Sequence, residues 1–299
     1  MAKIVECVPN FSEGRRTEVI EAIANAIKGV EGTRLLDYEY DKDHNRSVMT
    51  FVGEPESVKS AAFAACAKAA ELIDLNAHSG EHPRIGATDV IPFIPISNCT
   101  MEECVELARE LGNQIAEELK IPVYLYENAA VKPERRNLAN IRKGQYEGLK
   151  EAVLKDPERK PDYGPASLHP TAGATVVGAR MPLVAYNINL NTNDLDIAKS
   201  IAKAIRHSTG GLRYVKALGL EIKERGIVQV SMNLTNYQKT SVFRVFEMVK
   251  SEAERYGVEI LGSEVVGLIP MNALVDSAEF YLRIENFDKS QVLENRLWE

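Results

Sequence analysis

The sequence predicts an α+β chain of two ferredoxin-like lobes, each running β-α-β-β-α-β, produced by internal duplication and leaving a cleft between them. Three observations predict it. The segment Ile23-Ala-Asn-Ala-Ile-Lys28 returns about 178 residues later as Ile201-Ala-Lys-Ala-Ile-Arg206, and a repeated unit fixes architecture even where no single residue is informative. Each copy follows a short β-like run, Ile4–Val8 in one half and Leu183–Ile188 in the other. The fourth predicted strand of each half also closes alike, one containing Ile94-Pro95 near its end and the other running into Ile269-Pro270. The lobes are placed at residues 1–178 and 179–299.

The remaining elements follow in order. Thr33–Asp37 and Ser47–Val52 read as strands, and their counterparts are Arg213–Leu218 and Ile227–Leu234, where Val228, Val230 and Met232 alternate. A helix comes next in each half, Val58–Ile73 and Val242–Tyr256. In the second, Val242, Phe246, Val249, Ala253 and Tyr256 recur every three or four residues and form one apolar stripe. Asp89–Ile96 and Val265–Ile269 are the fourth strands, each followed by helical periodicity. The first lobe adds a helix, Met101–Leu119, and a strand, Val123–Tyr126. Between Asp156 and Gly173 lie Pro157, Pro161, Pro165 and Pro170, which stop regular structure. A stretch this long reads as the connection between lobes and as a functional loop. A cleft between two lobes is a common place for a ligand.

Composition excludes several classes. Of the 299 residues, 45% are hydrophobic and 26% charged, the mixture of a folded globular chain rather than a disordered one. With 36 basic against 43 acidic residues the net charge is −7, so no positive field gathers nucleic acid. The N-terminal MAKIVECV meets the polar run NFSEGRR at once, which leaves no room for an apolar leader. No window offers the run of apolar residues that a spanning helix needs. Cys7, Cys66, Cys99 and Cys104 form no CxxC pair and are too sparse to staple a secreted domain, so a cytoplasmic protein is expected. Cys66, in the Ala-rich stripe from Ala61 to Ala70, reads as a small core residue, and His207 and Trp298 as surface or packing.

The densest reactive cluster is His78-Ser79-Gly80-Glu81-His82-Pro83-Arg84, running on to Asp89. Its H-x-x-E-H spelling matches a zinc-protease pattern that needs both imidazoles on one helical face. Gly80 weakens a helix and Pro83 disfavours helical geometry at His82, so the metal reading is set aside. What remains is a loop with two imidazoles, a carboxylate and a guanidinium. It suits proton transfer near neutral pH; the plain alternative is a polar turn capping the strand that begins near Asp89.

Five stretches together resemble the glutamate formiminotransferase family: Val5-Glu-Cys-Val-Pro-Asn-Phe-Ser-Glu-Gly14, Asn45-Arg46, His78–Asp89 with Ile91-Pro-Phe-Ile-Pro95, Pro122–Tyr126 and Gly173–Arg180. The resemblance runs from residue 4 to about residue 282. It implies transfer of a formimino group from N-formimino-L-glutamate to N5 of tetrahydrofolate, the co-substrate, as a late step of histidine breakdown. It further implies two α/β lobes with folate in the groove, a homodimer, and a separate cyclodeaminase as metabolic partner. Open beside it stand an enzyme of the same scaffold acting on formiminoglycine or 5-formyltetrahydrofolate, and a folate-binding protein without catalysis.

The resemblance places the catalytic histidine on His82, as general acid and base. A carboxylate near it would hold the imidazole tautomer, and Glu39, in the acidic run before Asn45-Arg46, is the candidate; the same run also reads as a solvated turn. Arg46, Arg84 and Arg142 suit substrate carboxylates, because a guanidinium grips carboxylate in a fork. For folate the resemblance implies contacts from Tyr163, Gly164, Pro165, His169 and Thr171, and from the stretch of Arg213 and Lys216. Asn10 ends the first strand, and Asn187 and Asn189 occupy the matching place in the second lobe. Such amides recognise a pterin ring or an α-amino acid, or else cap the strands.

Overall fold

In the computed structural model, which describes residues 2–297 apart from the side chain of Leu297, the chain divides into two compact units, Met1–Arg180 and Met181–Glu299. Trp298 lies outside the described residues. In β1 (Ile4–Cys7) and its continuation β2 (Asn10–Phe11), Val5, Cys7 and Phe11 are fully buried on one face, while Ile4, Glu6 and Asn10 lie half-buried on the other. Helix α1 (Thr17–Lys28) buries Ile20, Ile23, Ala24 and Ile27 against the first face. The hairpin β3 (Thr33–Asp41) and β4 (Arg46–Gly53) follows, and then α2 (Pro55–Leu72), opened by a proline whose missing N–H would have been orphaned there anyway. Strand β5 (Thr88–Ser97) leads into α3 (Met101–Glu118), whose Thr100 and Glu103 form a reciprocal capping box.

Sheet order in this unit is β3-β4-β1/β2-β5-β7-β6, where β6 is Val123–Glu127 and β7 is Thr175–Ala179. Strand β7 lies parallel to both its neighbours; the pairs formed by β1 to β5 are antiparallel. Helices α1, α2 and α3 close one face. On the other, α4 (Leu138–Ile141) and α5 (Gln145–Lys155) place Ile141, Leu149 and Val153 over Val90, Tyr124, Tyr126 and Val176. The rest of that face presents Asn10, Arg46 and Val48.

Two sequence expectations change here. Strand β3 continues to Asp41, beyond Asp37, because a register shift between Leu35 and Asp37 keeps it paired with β4. The proline-rich stretch is part of the first unit rather than the connection between lobes. Its Asp162 carboxylate accepts from the Leu125 N–H at 2.8 Å, Tyr163 bridges to Val123, and the chain then enters β7 before the unit boundary.

The second unit contains β8 (Val184–Leu190), α6 (Leu195–Ile205), β9 (Val215–Ile222), β10 (Ile227–Leu234), α7 (Val242–Arg255), β11 (Ile260–Val266) and α8 (Met271–Leu282), followed by a short α9 (Leu293–Leu297). Its sheet is antiparallel in the order β11-β8-β10-β9. Val184, Tyr186, Ile188 and Leu190 join Val228, Val230 and Met232 in a core shared with Ala198, Ile201, Val245 and Val249. In both units the first strand is central and the second is at the edge, beyond the third. Strand β11 comes earlier than the expected Val265–Ile269, because Gly267 takes a left-handed conformation (φ 68°) that ends it after Val266. Among the described residues no helix is long and apolar enough to cross a membrane.

Candidate active site

The turn joining β3 to β4 is the bed on which the His78–Arg84 loop lies. Asn45 turns there with φ 49°, a left-handed conformation that asparagine tolerates. Its carboxamide is held at both ends across two segments: Oδ1 accepts from the Gly14 N–H at 2.9 Å, and Nδ2 donates to the Ser79 carbonyl at 3.0 Å. The Glu81 N–H donates to the Asp43 carbonyl. Gly80 sits so close to the turn that a Cβ would come within 2.4 Å of the His44 carbonyl oxygen. The segment is irregular, as Gly80 and Pro83 predict, so no helical face pairs His78 with His82.

His78 is locked. Its Nε2 donates to the Asn45 carbonyl at 3.0 Å and its Nδ1 accepts from Arg84 Nε at 3.1 Å, which fixes a neutral tautomer; burial pushes its pKa down. Arg84, buried, spends every N–H it has. Besides His78 Nδ1, it donates to the His78 carbonyl, to Gln145 Oε1 and to both oxygens of Glu147, the shortest at 2.7 Å. Arg84 is therefore a clamp between the loop and the start of α5, with no donor left for a substrate carboxylate. The partners Gln145 and Glu147 carry no sequence signal beyond the Gln145-Tyr-Glu147 neighbourhood of Arg142.

Asp89 makes a second clamp. It is almost fully buried, takes the Ile85 N–H on Oδ1 at 2.8 Å and pairs through Oδ2 with Arg142 Nη2. Arg142 keeps a buried Nε without a partner. Arg46 lies near it on the open face of β4. Its pKa falls below that of an ordinary guanidinium, chiefly from burial and then from the charge of Arg142, against partial compensation by Asp41, Asp89 and Glu39. No hydrogen bond satisfies the Arg46 guanidinium among the described residues. Glu39 is exposed on β3, and its charge acts on Arg46; no hydrogen bond joins it to His82.

His82 is half-buried, and its ring makes no hydrogen bond among the described residues. Burial, then the charges of Arg46 and Arg142, push its pKa down to about 3. The ring is neutral at physiological pH and can accept a proton. This depression has a stability consequence with a definite sign. Between about 3 and the ordinary value of 6.5 the unfolded chain binds a proton that the folded site refuses, so stability is lost as pH falls through that window. The slope from this group is about 1.4 kcal/mol per pH unit. Urea unfolding at pH 7 and pH 5 checks it: the wild type should lose more stability than His82→Gln, and equal losses would show that the ring titrates normally.

The other candidates are placed as follows. Asn10 points from the open face of β2, with Nδ2 on the Val8 carbonyl at 3.3 Å. The Tyr163 ring packs against the core beside α3, and Gly164 turns with φ 86°. Pro165 is exposed. His169 Nδ1 accepts from the Ala172 N–H at 3.0 Å, and the ring lines a shallow pocket with Tyr146, Lys150, Ser167 and Pro170. The Thr171 carbonyl receives the Leu75 N–H. In the second unit, Arg213 lies over the Tyr214 ring and Lys216 is exposed on β9.

Comparison with known proteins agrees along the whole chain. The model of the formiminotransferase domain, N-terminal subdomain, matches residues 4–180, and that of the formiminotransferase domain matches residues 185–296. A glutamate formimidoyltransferase of Streptococcus pyogenes is 54% identical, with 99% of each chain covered. One of Thermoplasma acidophilum is 52% identical over 98% of this chain and 97% of that one. The formimidoyltransferase-cyclodeaminase of Mus musculus is 47% identical over 94% of this chain, which spans 53% of that longer protein.

Proposed function

The chain belongs to the formiminotransferase family, and from that premise we propose that it transfers the formimino group of N-formimino-L-glutamate to N5 of tetrahydrofolate, with His82 as the proton carrier. The observation that carries the reading is the His82 ring: neutral, without a hydrogen bond among the described residues, and under the charge of two guanidinium groups, of which Arg46 has no hydrogen-bonding partner among those residues.

N5 of the acceptor attacks the formimino carbon and becomes positively charged in the tetrahedral adduct. His82 takes the N5 proton. It returns that proton to the glutamate nitrogen as the carbon–nitrogen bond to glutamate breaks, so the imidazole ends as it began. One group thus serves as base and then as acid. Arg46, with Arg142 beside it, holds a carboxylate of the donor; the two negative charges of the donor also offset the cations that depress His82 and draw its pKa toward the range useful for transfer. Arg84 and Asn45 position the loop and do not touch substrate. The glutamate leaves, and 5-formiminotetrahydrofolate passes to a cyclodeaminase in histidine breakdown.

Incubating the purified chain with both substrates and measuring glutamate release tests the reading, with formiminoglycine as the competing donor. Arg46→Met should raise KM for formiminoglutamate roughly 10- to 100-fold, the cost of a lost charge-assisted hydrogen bond, and change KM for tetrahydrofolate little. A wild-type chain that releases no glutamate, or prefers formiminoglycine, would overturn the assignment.

A further inference from the structure

Two cysteines at the entry to α3 lie outside the chemistry above. Strand β5 ends at Ser97, Asn98 turns the chain with φ 49°, and Thr100 caps the helix. Counted from that cap, Cys99 is the residue before it and Cys104 the fourth of the helix, the two places whose side chains meet across a first helical turn. Hydrophobic residues usually fill both. Here they bring two sulfurs to 3.9 Å. The capping box of Thr100 and Glu103 fixes the turn between them, and the Lys3 ammonium holds Glu103 from outside. The contact is therefore set by the backbone of the helix start.

The two thiols differ in access. Cys104 is fully buried in the core with Leu107 and Leu111, whereas Cys99 is half-buried and packs on that core from its rim. Burial pushes both pKa values up, that of Cys104 much further; at Cys99 the charge of Glu103 adds to the rise and that of Lys3 opposes it. Cys7, sealed in β1, is within electrostatic reach of Cys104, and Cys66 is sealed in α2. A disulfide holds its sulfurs about 2 Å apart. Cys99 precedes the helix and borders solvent, so it is the partner free to turn and close the gap.

We propose that Cys99 and Cys104 form a reversible disulfide, a covalent staple across the first turn of α3, when the chain meets a low-molecular-weight disulfide such as oxidised glutathione. The Cys99 thiolate attacks one sulfur of that oxidant, releasing one small thiolate and leaving a mixed disulfide on Cys99. Cys104 gives up its proton and attacks the Cys99 sulfur, and the second small thiol departs. The protein loses two electrons and two protons, and the small disulfide becomes two thiols. Closure is slow near neutral pH, because each thiol must ionise against its burial, and quickens as pH rises. Cys99 stays within reach of solvent, so a dithiol reopens the bond.

The reduced full chain is incubated with oxidised glutathione at about pH 8.5, where more thiolate forms, and digested without reductant by a protease that cuts after glutamate. Cleavage after Glu102 and Glu103 separates the two cysteines. The expected result is loss of two of the four thiols, with the Cys99 and Cys104 peptides joined until reductant is added, and a higher urea midpoint for the oxidised chain. Cys104→Ala should stop at the mixed disulfide, carrying one glutathione on Cys99, and Cys99→Ser should lose no thiol. A wild type that keeps all four thiols, or a link that includes Cys7 or Cys66, overturns the pairing. A lasting glutathione adduct on wild-type Cys99 also overturns it, because Cys104 then fails to resolve the adduct. A lower urea midpoint on oxidation overturns the staple.

Discussion

His82→Ala should lower kcat by about 10²- to 10⁴-fold, the usual worth of a positioned general acid–base group, and shift the Kd for 5-formyltetrahydrofolate only a few-fold. The split matters because a residue that merely shapes the pocket would lose binding and turnover together. A pH profile adds a second readout. In the free enzyme the ring is held down near 3 by burial and by Arg46 and Arg142. A bound dicarboxylate cancels much of that charge. The acid limb of kcat, which reports the complex, should therefore lie at higher pH than the His82 contribution to kcat/KM, which reports the free enzyme. Coincident limbs would sink the idea that substrate charge tunes the base.

Asp89→Ala should cost about 3–5 kcal/mol of folding stability, since it strips a buried charge pair of one partner. The carboxylate serves two masters, the Ile85 N–H and the Arg142 guanidinium, and a methyl group serves neither. Asp89→Asn separates the two. Its side-chain oxygen can still accept from Ile85, so it should recover part of the loss while leaving Arg142 unneutralised. Urea unfolding of the two variants measures the difference. Identical losses in both would mean that the ion pair, rather than the backbone hydrogen bond, accounts for the whole effect.

Much of this layout is legible in the residues, for reasons that also explain the omissions. The repeat and the period-2 alternation of Val228, Val230 and Met232 report burial directly: the repeated segments lie in helices α1 and α6, and the alternating run is β10. Strand β7 escaped because Thr175–Ala179 is a five-residue apolar run buried on both faces, and such a run has no alternation to read. Helices α4 and α5 escaped because one spans four residues and the other is entered through the left-handed Gly144 and holds Gly148. The proline-rich stretch misled in another way: proline removes hydrogen-bond donors but not the ability of a neighbour such as Asp162 to brace a strand. At the site, the residue type of Arg84 is compatible with a substrate ligand. Only the meeting of its loop with Gln145 and Glu147 shows that its donors are spent.

The bed under Gly80 carries a consequence for how such chains can vary. Surface hairpin tips ordinarily absorb insertions and deletions with little penalty. Here the tip from Lys42 to Asn45 is a spacer of fixed gauge: it holds Ser79, His78 and Glu81 through one turn while Arg46 begins the strand behind it. One residue more or fewer would slide Arg46 to the opposite side of its sheet and displace the loop that carries His82 at the same stroke. Length drift is thereby barred at a spot where it would usually be harmless.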